Sequence, residues 1–201
     1  MEKALWAGFV LGAGVAAGIG PISLLCVASG VRHGFRPAVG VGLGAATVDG
    51  LYALAAALGA AALIAGRTAT VIQVAGGIAM VAIAFRLARG GGAAGAAPSR
   101  FGRAYQVSFA ATLANPATIV SWVGAFAAAV PALHLTKMET ATALPAGVVI
   151  GSAAWFIGLA TASALAGKRM NDHALRVLSY IGACAIGGFG VAAVLTGVGV
   201  V

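Results

Sequence analysis

Acidic residues, and charged residues in general, are scarce in this chain of 201 residues. Four Asp and Glu stand against twelve Lys and Arg, and only 8% of all residues are charged, whereas a soluble domain carries about a quarter. With 61% hydrophobic residues, the chain has too few polar groups to cover a core in water. These shortages exclude a soluble enzyme and a disordered chain, and they leave a polytopic helical membrane protein.

Cysteine is nearly absent as well, which excludes a secreted disulfide scaffold. Cys26 and Cys184 both lie inside apolar runs, where cysteine is typically a small buried hydrophobe. The net charge of +8 would suggest nucleic-acid binding in a soluble protein. Here the cations separate apolar runs and are expected to orient helices in a membrane, so no nucleic-acid partner is predicted.

Long apolar runs, by contrast, are abundant. A membrane-crossing helix needs about 20 apolar residues, and six runs reach that length: 4–30, 37–66, 68–87, 105–130, 142–167 and 177–201. The first run is too long for the core of a signal peptide, so we expect a retained helix there. The sequence therefore predicts an all-α integral membrane protein whose single transmembrane domain covers residues 1–201.

The loops divide the twelve cations unequally between the two sides of the membrane. The N-terminus and the second and fourth loops carry three, which are Lys3, Arg67 and Lys137. The first, third and fifth loops carry the other nine, which are Arg32, Arg36, Arg86, Arg89, Arg100, Arg103, Lys168, Arg169 and Arg176. Because positive residues favour the cytoplasm, we predict both termini outside and the nine-cation side inside.

A Gly- and Ala-rich segment in the third loop predicts a flexible cytoplasmic linker, residues 89–103. It separates a first three-helix repeat, residues 1–88, from a second one, residues 104–201. Because three is an odd number, the second repeat must enter the membrane inverted relative to the first. Inverted repeats are a common plan of transporters, and the binding site then lies at the interface between the repeats.

The first helix of each repeat carries a proline that should interrupt it. Gly18, Gly20 and Pro21 follow one another in the first helix, and Asn115 and Pro116 lie in the fourth. Proline has no N–H and clashes with the preceding turn. Each proline is roughly 15 Å of helical rise from the basic end of its helix, which is near the midplane of the membrane. A single kink is commonly a packing feature, but two at matching depth favour a substrate site.

Small residues four apart mark two further helices as close packing partners. Gly40 and Gly44 form such a pair in the second span, and Gly147 and Gly151 repeat it in the fifth. Small-xxx-small pairs let two helix backbones approach closely inside a membrane. We therefore predict that these four glycines lie in helix–helix contacts.

Asp49 is the one acidic residue inside a predicted span. A charged group there costs roughly 2.5–3.5 kcal/mol on insertion scales, so such residues usually face a cavity or a partner. No Lys, Arg or His lies deep inside a span, because Arg86 stands at the very end of its run, next to the third loop. The cation that Asp49 meets is therefore expected to be a proton, a metal ion or a substrate ammonium group. The alternative is a structural, protonated acid that hydrogen-bonds to neighbouring backbone.

Taken in order, these motifs resemble the LysE/RhtB family of amino-acid exporters. The length, the six spans and the loop between the halves fit as well, and Trp122 supplies the bulky aromatic that often follows the Asn-Pro pair in that family. The resemblance implies efflux of amino acids across a bacterial inner membrane, with protons as counter-ion and no cofactor. The positions that match the family's motifs are Gly20, Pro21, Gly40, Gly44, Asp49, Asn115 and Pro116.

We therefore predict a non-enzymatic secondary exporter of amino acids or related small zwitterions that works by proton antiport and alternating access. Its expected partners are that substrate and membrane lipid, with a homodimer as one option for its assembly. Gly20, Pro21, Asp49, Asn115 and Pro116 are the predicted substrate site, and Asp49 also carries the coupled proton. Further polar candidates that the sequence does not rank are Ser23, Thr47, Ser108, Thr112, Thr118 and Ser121.

Two alternative functions remain open from the residues alone. A membrane thiol-electron carrier would need Cys26 and Cys184 to meet across the two halves. A divalent-metal exporter would need clustered ligands, whereas the three histidines lie in separate loops, at His33, His134 and His173. No metal site is predicted. An intramembrane protease is set aside because no histidine lies at membrane depth to act as a base.

Overall fold

A computed structural model describes the chain over residues 1–18, 20–58, 98–113, 115 and 137–169, with single positions elsewhere. Those positions are 74, 78, 81, 82, 85, 118, 121, 122, 125, 173, 177, 180, 184, 187, 188, 191, 194 and 195. Within this part the structure is all-helical: α1 is Glu2–Ala16, α2 Pro21–His33, α3 Phe35–Ala57, α4 Phe101–Leu113, α5 Lys137–Ala141 and α6 Ala143–Gly167. Most of the predicted third and sixth spans and of the linker lies outside the described residues.

The first predicted span is broken where the sequence places Pro21. The helix α1 ends at Ala16, Gly20 has an extended backbone, and Pro21 is the first residue of α2. Proline suits this position because a first-turn N–H has no partner within the helix in any case. The axes of α1 and α2 are bent by 78°, so the first predicted span is divided into two shorter helices.

Among the described residues, α3 and α6 are each long and apolar enough to cross a membrane, and α1 with α2 makes a third crossing if the bent pair counts as one span. The bounds of α6 agree with the predicted fifth span. The predicted second span, 37–66, was wrong at its end, because α3 stops at Ala57 with Leu58 as its cap. Its 23 residues rise about 34 Å, which already covers the membrane core.

Two glycines of α6 lie directly on the backbone of α1. A Cβ at Gly147 would overlap the carbonyl of Leu5, and one at Gly151 would overlap the carbonyl of Phe9 and crowd the amide of Ala13. Because later residues of α6 meet later residues of α1, the two helices run parallel. Without glycine at these positions the axes would have to move apart.

The helices α3 and α4 pack in the same manner. A Cβ at Gly40 would overlap the carbonyl of Phe101, and one at Gly44 would overlap the carbonyl of Tyr105 and crowd the amide of Phe109. This pair is parallel as well. In both contacts, two glycines four residues apart lie against two carbonyls four residues apart. The glycines belong to α3 or α6, and the carbonyls belong to the helix that precedes a proline.

In the second half of the chain, two helices differ from the predicted boundaries. The helix α4 begins at Phe101, inside the predicted linker 89–103, and the predicted fourth loop contains the short helix α5. Glu139 of α5 forms an ion pair with the N-terminal ammonium of Met1. The start of α1 and the start of α6 therefore lie at the same end of the molecule.

Candidate functional site between the helix breaks

A cavity of about 220 Å³ lies where the two interrupted spans meet α3 and α6. At about 30 Å³ per liquid water, this is room for roughly seven waters, which is less than a drug-sized ligand needs and enough for a small metabolite. The residues that line the cavity are Val15, Ala16, Gly18, Gly20, Pro21, Ile22, Ser23, Ala45, Asp49, Thr112, Asn115, Thr118, Ser121 and Phe156. Four of the five residues predicted for substrate binding are among them, and Pro116 lies outside the described residues.

The first helix break contributes backbone donors to the cavity wall. The amide of Leu24 donates to the carbonyl of Gly20 in the first hydrogen bond of α2, at 3.1 Å. The amides of Ile22 and Ser23 precede this bond, and no side chain caps the helix. Ser23 Oγ instead donates to the carbonyl of Gly18 at 3.1 Å, across the break. The N-terminal end of α2 therefore presents free N–H groups and a positive dipole end to the cavity.

The second break brings polar side chains to the opposite wall. The helix α4 ends at Leu113, Asn115 is not helical, and helical backbone recurs at Thr118. The amide of Thr118 donates to the carbonyl of Asn115 at 3.1 Å. Tyr52 on α3 donates its hydroxyl to the carbonyl of Leu113 at 2.6 Å. This bond satisfies a carbonyl that the end of α4 leaves unpaired, and it fixes the break relative to α3.

Asp49 is held by two neutral donors from the second half of the chain. Trp122 Nε1 donates to its Oδ1 at 3.0 Å, and Ser152 Oγ donates to its Oδ2 at 2.6 Å. Asp49 is 4% exposed and makes no ion pair with any residue that the structure describes. Both of these partners are distant side chains and not neighbouring backbone. One acid on α3 thus connects the fourth and fifth spans.

Thr112, near the end of α4, adds a hydroxyl with no protein partner. Its Oγ1 is buried, and no hydrogen-bonding group of the described residues reaches it. A buried hydroxyl without a partner is costly, but Thr112 lines the cavity, where a ligand or a water can supply the missing bond. Ser108 Oγ, one turn earlier, is also unpartnered among the described residues but does not belong to the cavity wall.

The six polar residues that the sequence did not rank fall into two groups, by whether they line the cavity. Ser23, Thr112, Thr118 and Ser121 line the cavity, whereas Thr47 and Ser108 do not. Thr47 Oγ1 donates to the carbonyl of Leu43 at 2.8 Å and accepts the Tyr105 hydroxyl at 3.1 Å, within the α3–α4 contact.

Ser152 and Phe156 are residues of the site that sequence reasoning missed. Ser152 directly follows Gly151 of the α1 contact, so its hydroxyl points around the helix toward α3. Phe156 is one turn further along α6, and its Cβ packs on the bare Cα of Gly42. A polar residue beside a packing glycine is a usable signal for Ser152. Nothing in the sequence distinguishes Phe156 from the lipid-facing aromatics.

The groups needed by the alternative functions are not brought together in the described part of the chain. Cys26 is buried, with its thiol 3.5 Å from the carbonyl of Ala38, whereas Cys184 is exposed, and neither forms a disulfide. No group of three or more His, Cys, Asp or Glu that could hold a metal ion occurs among the described residues.

Comparison with known protein families gives a match. The model of the LysE type translocator family matches residues 13–197. The chain belongs to this family. Its members are membrane transporters and not enzymes, so this LysE-type protein is a transmembrane transporter. Comparison with curated proteins and with solved structures gives no significant match.

Proposed function

We propose that this LysE-type protein exports amino acids or related small zwitterions across the bacterial inner membrane in exchange for protons. The observation that carries the proposal is the cavity, because it places one helix N-terminus, one carboxyl group and several hydroxyl and amide groups around a single small space. A zwitterion needs a site for an anion and a site for a cation at short separation, and this cavity offers both.

The substrate carboxylate fits the N-terminal end of α2. The amides of Ile22 and Ser23 are free there, and the dipole of the half-helix favours negative charge. Pro21 contributes by interrupting the backbone hydrogen bonds of the span. Gly20 leaves the approach to the free amides open, since no described atom beyond its chain neighbours lies within 4 Å of the position where its Cβ would be. The hydroxyl of Thr112, which lacks a partner among the described residues, is a further donor for the same carboxylate.

Asp49 is the group that receives the substrate amine or the coupled proton. It is the one acidic side chain among the described residues of the cavity wall, and its hydrogen bonds with described residues come from neutral donors. A carboxylate held at membrane depth without a cation is expensive, so it favours binding either a proton or an ammonium group. Competition between the two for one acid is a direct way to couple export to proton entry.

The two glycine contacts support two inverted three-helix repeats. The contact of α6 on α1 and the contact of α3 on α4 use the same spacing of glycines and carbonyls and the same parallel direction. If the first and fourth spans are equivalent, and the second and fifth likewise, one pseudo-two-fold axis exchanges both contacts. The cavity then lies at the interface of the repeats, where alternating access requires it.

Transport by the purified protein in liposomes tests this proposal, with Asp49→Asn as the deciding variant. Asparagine keeps one acceptor oxygen and the size of the side chain, and it removes a charge that the membrane resists, so the fold should persist. We expect wild-type protein to move amino acids faster with an inward proton gradient, and Asp49→Asn to lose that response. Gradient-driven transport at the wild-type rate in Asp49→Asn would refute the mechanism.

The same variant also separates the two roles of Asp49. Amino-acid counterflow involves no net proton movement. If counterflow survives in Asp49→Asn, the residue carries only the proton. If counterflow is lost while the protein remains folded, Asp49 also binds the substrate amine.

A further inference from the structure

A second cleft, of about 670 Å³, lies between the C-terminal ends of α2 and α6. The two helix ends pack closely, because Gly167 lies on the backbone of Val31 and Gly30 lies on Ser163. Since α2 ends at His33 and α6 at Gly167, the cleft is at the end of the membrane-crossing segments. This is the level of lipid headgroups.

The charge of the cleft is positive. Arg32 and Lys168 line it, and no acidic residue of the described part of the chain does. Neither cation forms an ion pair with any residue that the structure describes. The two helix C-termini contribute roughly −0.5 charge each, which leaves a net charge of about +1 from the two cations. The cleft therefore attracts an anion, and no acidic side chain among the described residues neutralises its two cations.

The remaining wall of the cleft is apolar and faces outward. Phe35 is 46% exposed and Leu165 is 58% exposed, and both line the cleft beside the two cations. Exposed apolar side chains next to a positive pocket do not suit a free hydrated phosphate ion. They suit a molecule that carries a phosphate on one end and hydrocarbon on the other.

We infer that this cleft binds an anionic phospholipid, with its phosphate between Arg32 and Lys168 and its acyl chains along Phe35 and Leu165. Basic pockets between membrane helices are suited to such headgroups. The lipid would connect α2, the half-helix that follows the first break, to the end of α6. This inference does not depend on the identity of the transported substrate.

The chain offers a matched control for the test. Arg36 and Arg169 are also exposed and lie within four residues of the two cleft cations, but neither lines the cleft. The double variants Arg32→Ala/Lys168→Ala and Arg36→Ala/Arg169→Ala therefore remove the same total charge from the same end of the molecule. Only the first removes the anion site.

The measurement is the thermal unfolding midpoint of detergent-purified protein with added phosphatidylglycerol, phosphatidylcholine or inorganic phosphate. Retention of lipid in native mass spectrometry is the second readout. We expect phosphatidylglycerol to raise the midpoint of the wild type and of the Arg36/Arg169 variant by about 5 °C or more. The Arg32/Lys168 variant should show no such rise and should retain less of this lipid.

Three results would each overturn the inference. They are an equal rise with phosphatidylcholine, an equal loss of the effect in both double variants, and a rise with inorganic phosphate that matches the lipid. If Arg32→Ala/Lys168→Ala does not purify as a folded protein, Arg32→Gln alone allows the same comparison, with Arg36→Gln as its control.

Discussion

The two hydrogen bonds to Asp49 differ in what they permit. The indole N–H of Trp122 can only donate, so Oδ1 must stay an acceptor whether or not the acid is protonated. The hydroxyl of Ser152 can donate or accept. A proton can therefore reside on Oδ2 if the Ser152 hydroxyl turns around, and neither hydrogen bond is lost. In the proposed mechanism Ser152 is thus a positioning residue that lets Asp49 gain or lose the coupled proton in place.

Replacing Ser152 by alanine should impair proton coupling more than substrate binding. A hydrogen bond to a charged group is worth about 1.5–3 kcal/mol, so we expect gradient-driven transport by Ser152→Ala to fall about tenfold or more, with a shifted pH profile. Ser163→Ala is the control, because Ser163 is buried on the same helix, bonds only the carbonyl of Ala160 among the described residues and does not line the cavity. Identical pH profiles for Ser152→Ala and wild type would contradict this role.

Phe156 should limit the size of the transported side chain. It is buried, lines the cavity and is held against α3 because Gly42 has no side chain. Shortening it in Phe156→Leu enlarges the cavity, so we expect counterflow with a panel of neutral amino acids to shift toward bulkier side chains. The adjacent Trp155 is 41% exposed and outside the cavity, so Trp155→Leu should leave the preference unchanged. The prediction fails if both variants keep the wild-type order of substrates.

At the scale of helices, the α1–α6 contact depends on glycines from both partners. Gly8 and Gly12 of α1 face the backbone of Leu144 and Val148, while Gly147 and Gly151 of α6 face α1. On each helix, the glycines thus form a groove without side chains in which the backbone of the other helix packs. Since membrane helices gain no hydrophobic driving force from association, such close backbone contact is a main source of their cohesion.

Gly151→Ala should destabilise the protein, whereas Gly158→Ala should not. Both positions lie within α6 and gain about 1 kcal/mol of helix propensity from alanine. A Cβ at Gly151 meets the backbone of α1, but a Cβ at Gly158 meets no neighbouring element of the described residues within 4 Å. Overpacking typically costs about 1–3 kcal/mol, so thermal unfolding in detergent should occur at a lower temperature for Gly151→Ala than for Gly158→Ala. The reverse order would show that α1 and α6 can separate freely.

The parts of this architecture that follow from local chemistry were predictable from the sequence. Pro21 after Gly20 indicates a helix break because proline lacks an N–H, and the apolar run of the fifth span predicts the bounds of α6 closely. The end of α3 was not predictable in this way, because residues 58–66 are as apolar as the helix before them. The partners of Asp49 were missed for a related reason. Trp122 and Ser152 meet it only through the way three helices pack.

At the scale of the whole molecule, the parallel contacts restrict the topology. The helices α1 and α6 start at the same end, where Met1 pairs with Glu139. The helices α3 and α4 also run parallel to each other, and α3 follows α2 directly at Gly34. Two spans that run in the same direction must be separated by an odd number of crossings. Six spans, with one crossing between α3 and α4, satisfy this condition.

Which end faces the cytoplasm is then decided by charge, and this leads to the last prediction. The end that holds Met1 and Glu139 belongs to the side with three cations, and the other side carries nine. Because cytoplasmic loops retain Lys and Arg, we expect a reporter that is active only outside the cytoplasm to be active when fused at Val201 and inactive when fused at Gly95. A fluorescent reporter that matures only inside should give the opposite result at each site. Fluorescence from the Val201 fusion would place the C-terminus inside. That result would require either an odd number of spans or the opposite orientation of the whole protein. With the opposite orientation, the proposed direction of proton entry would be wrong.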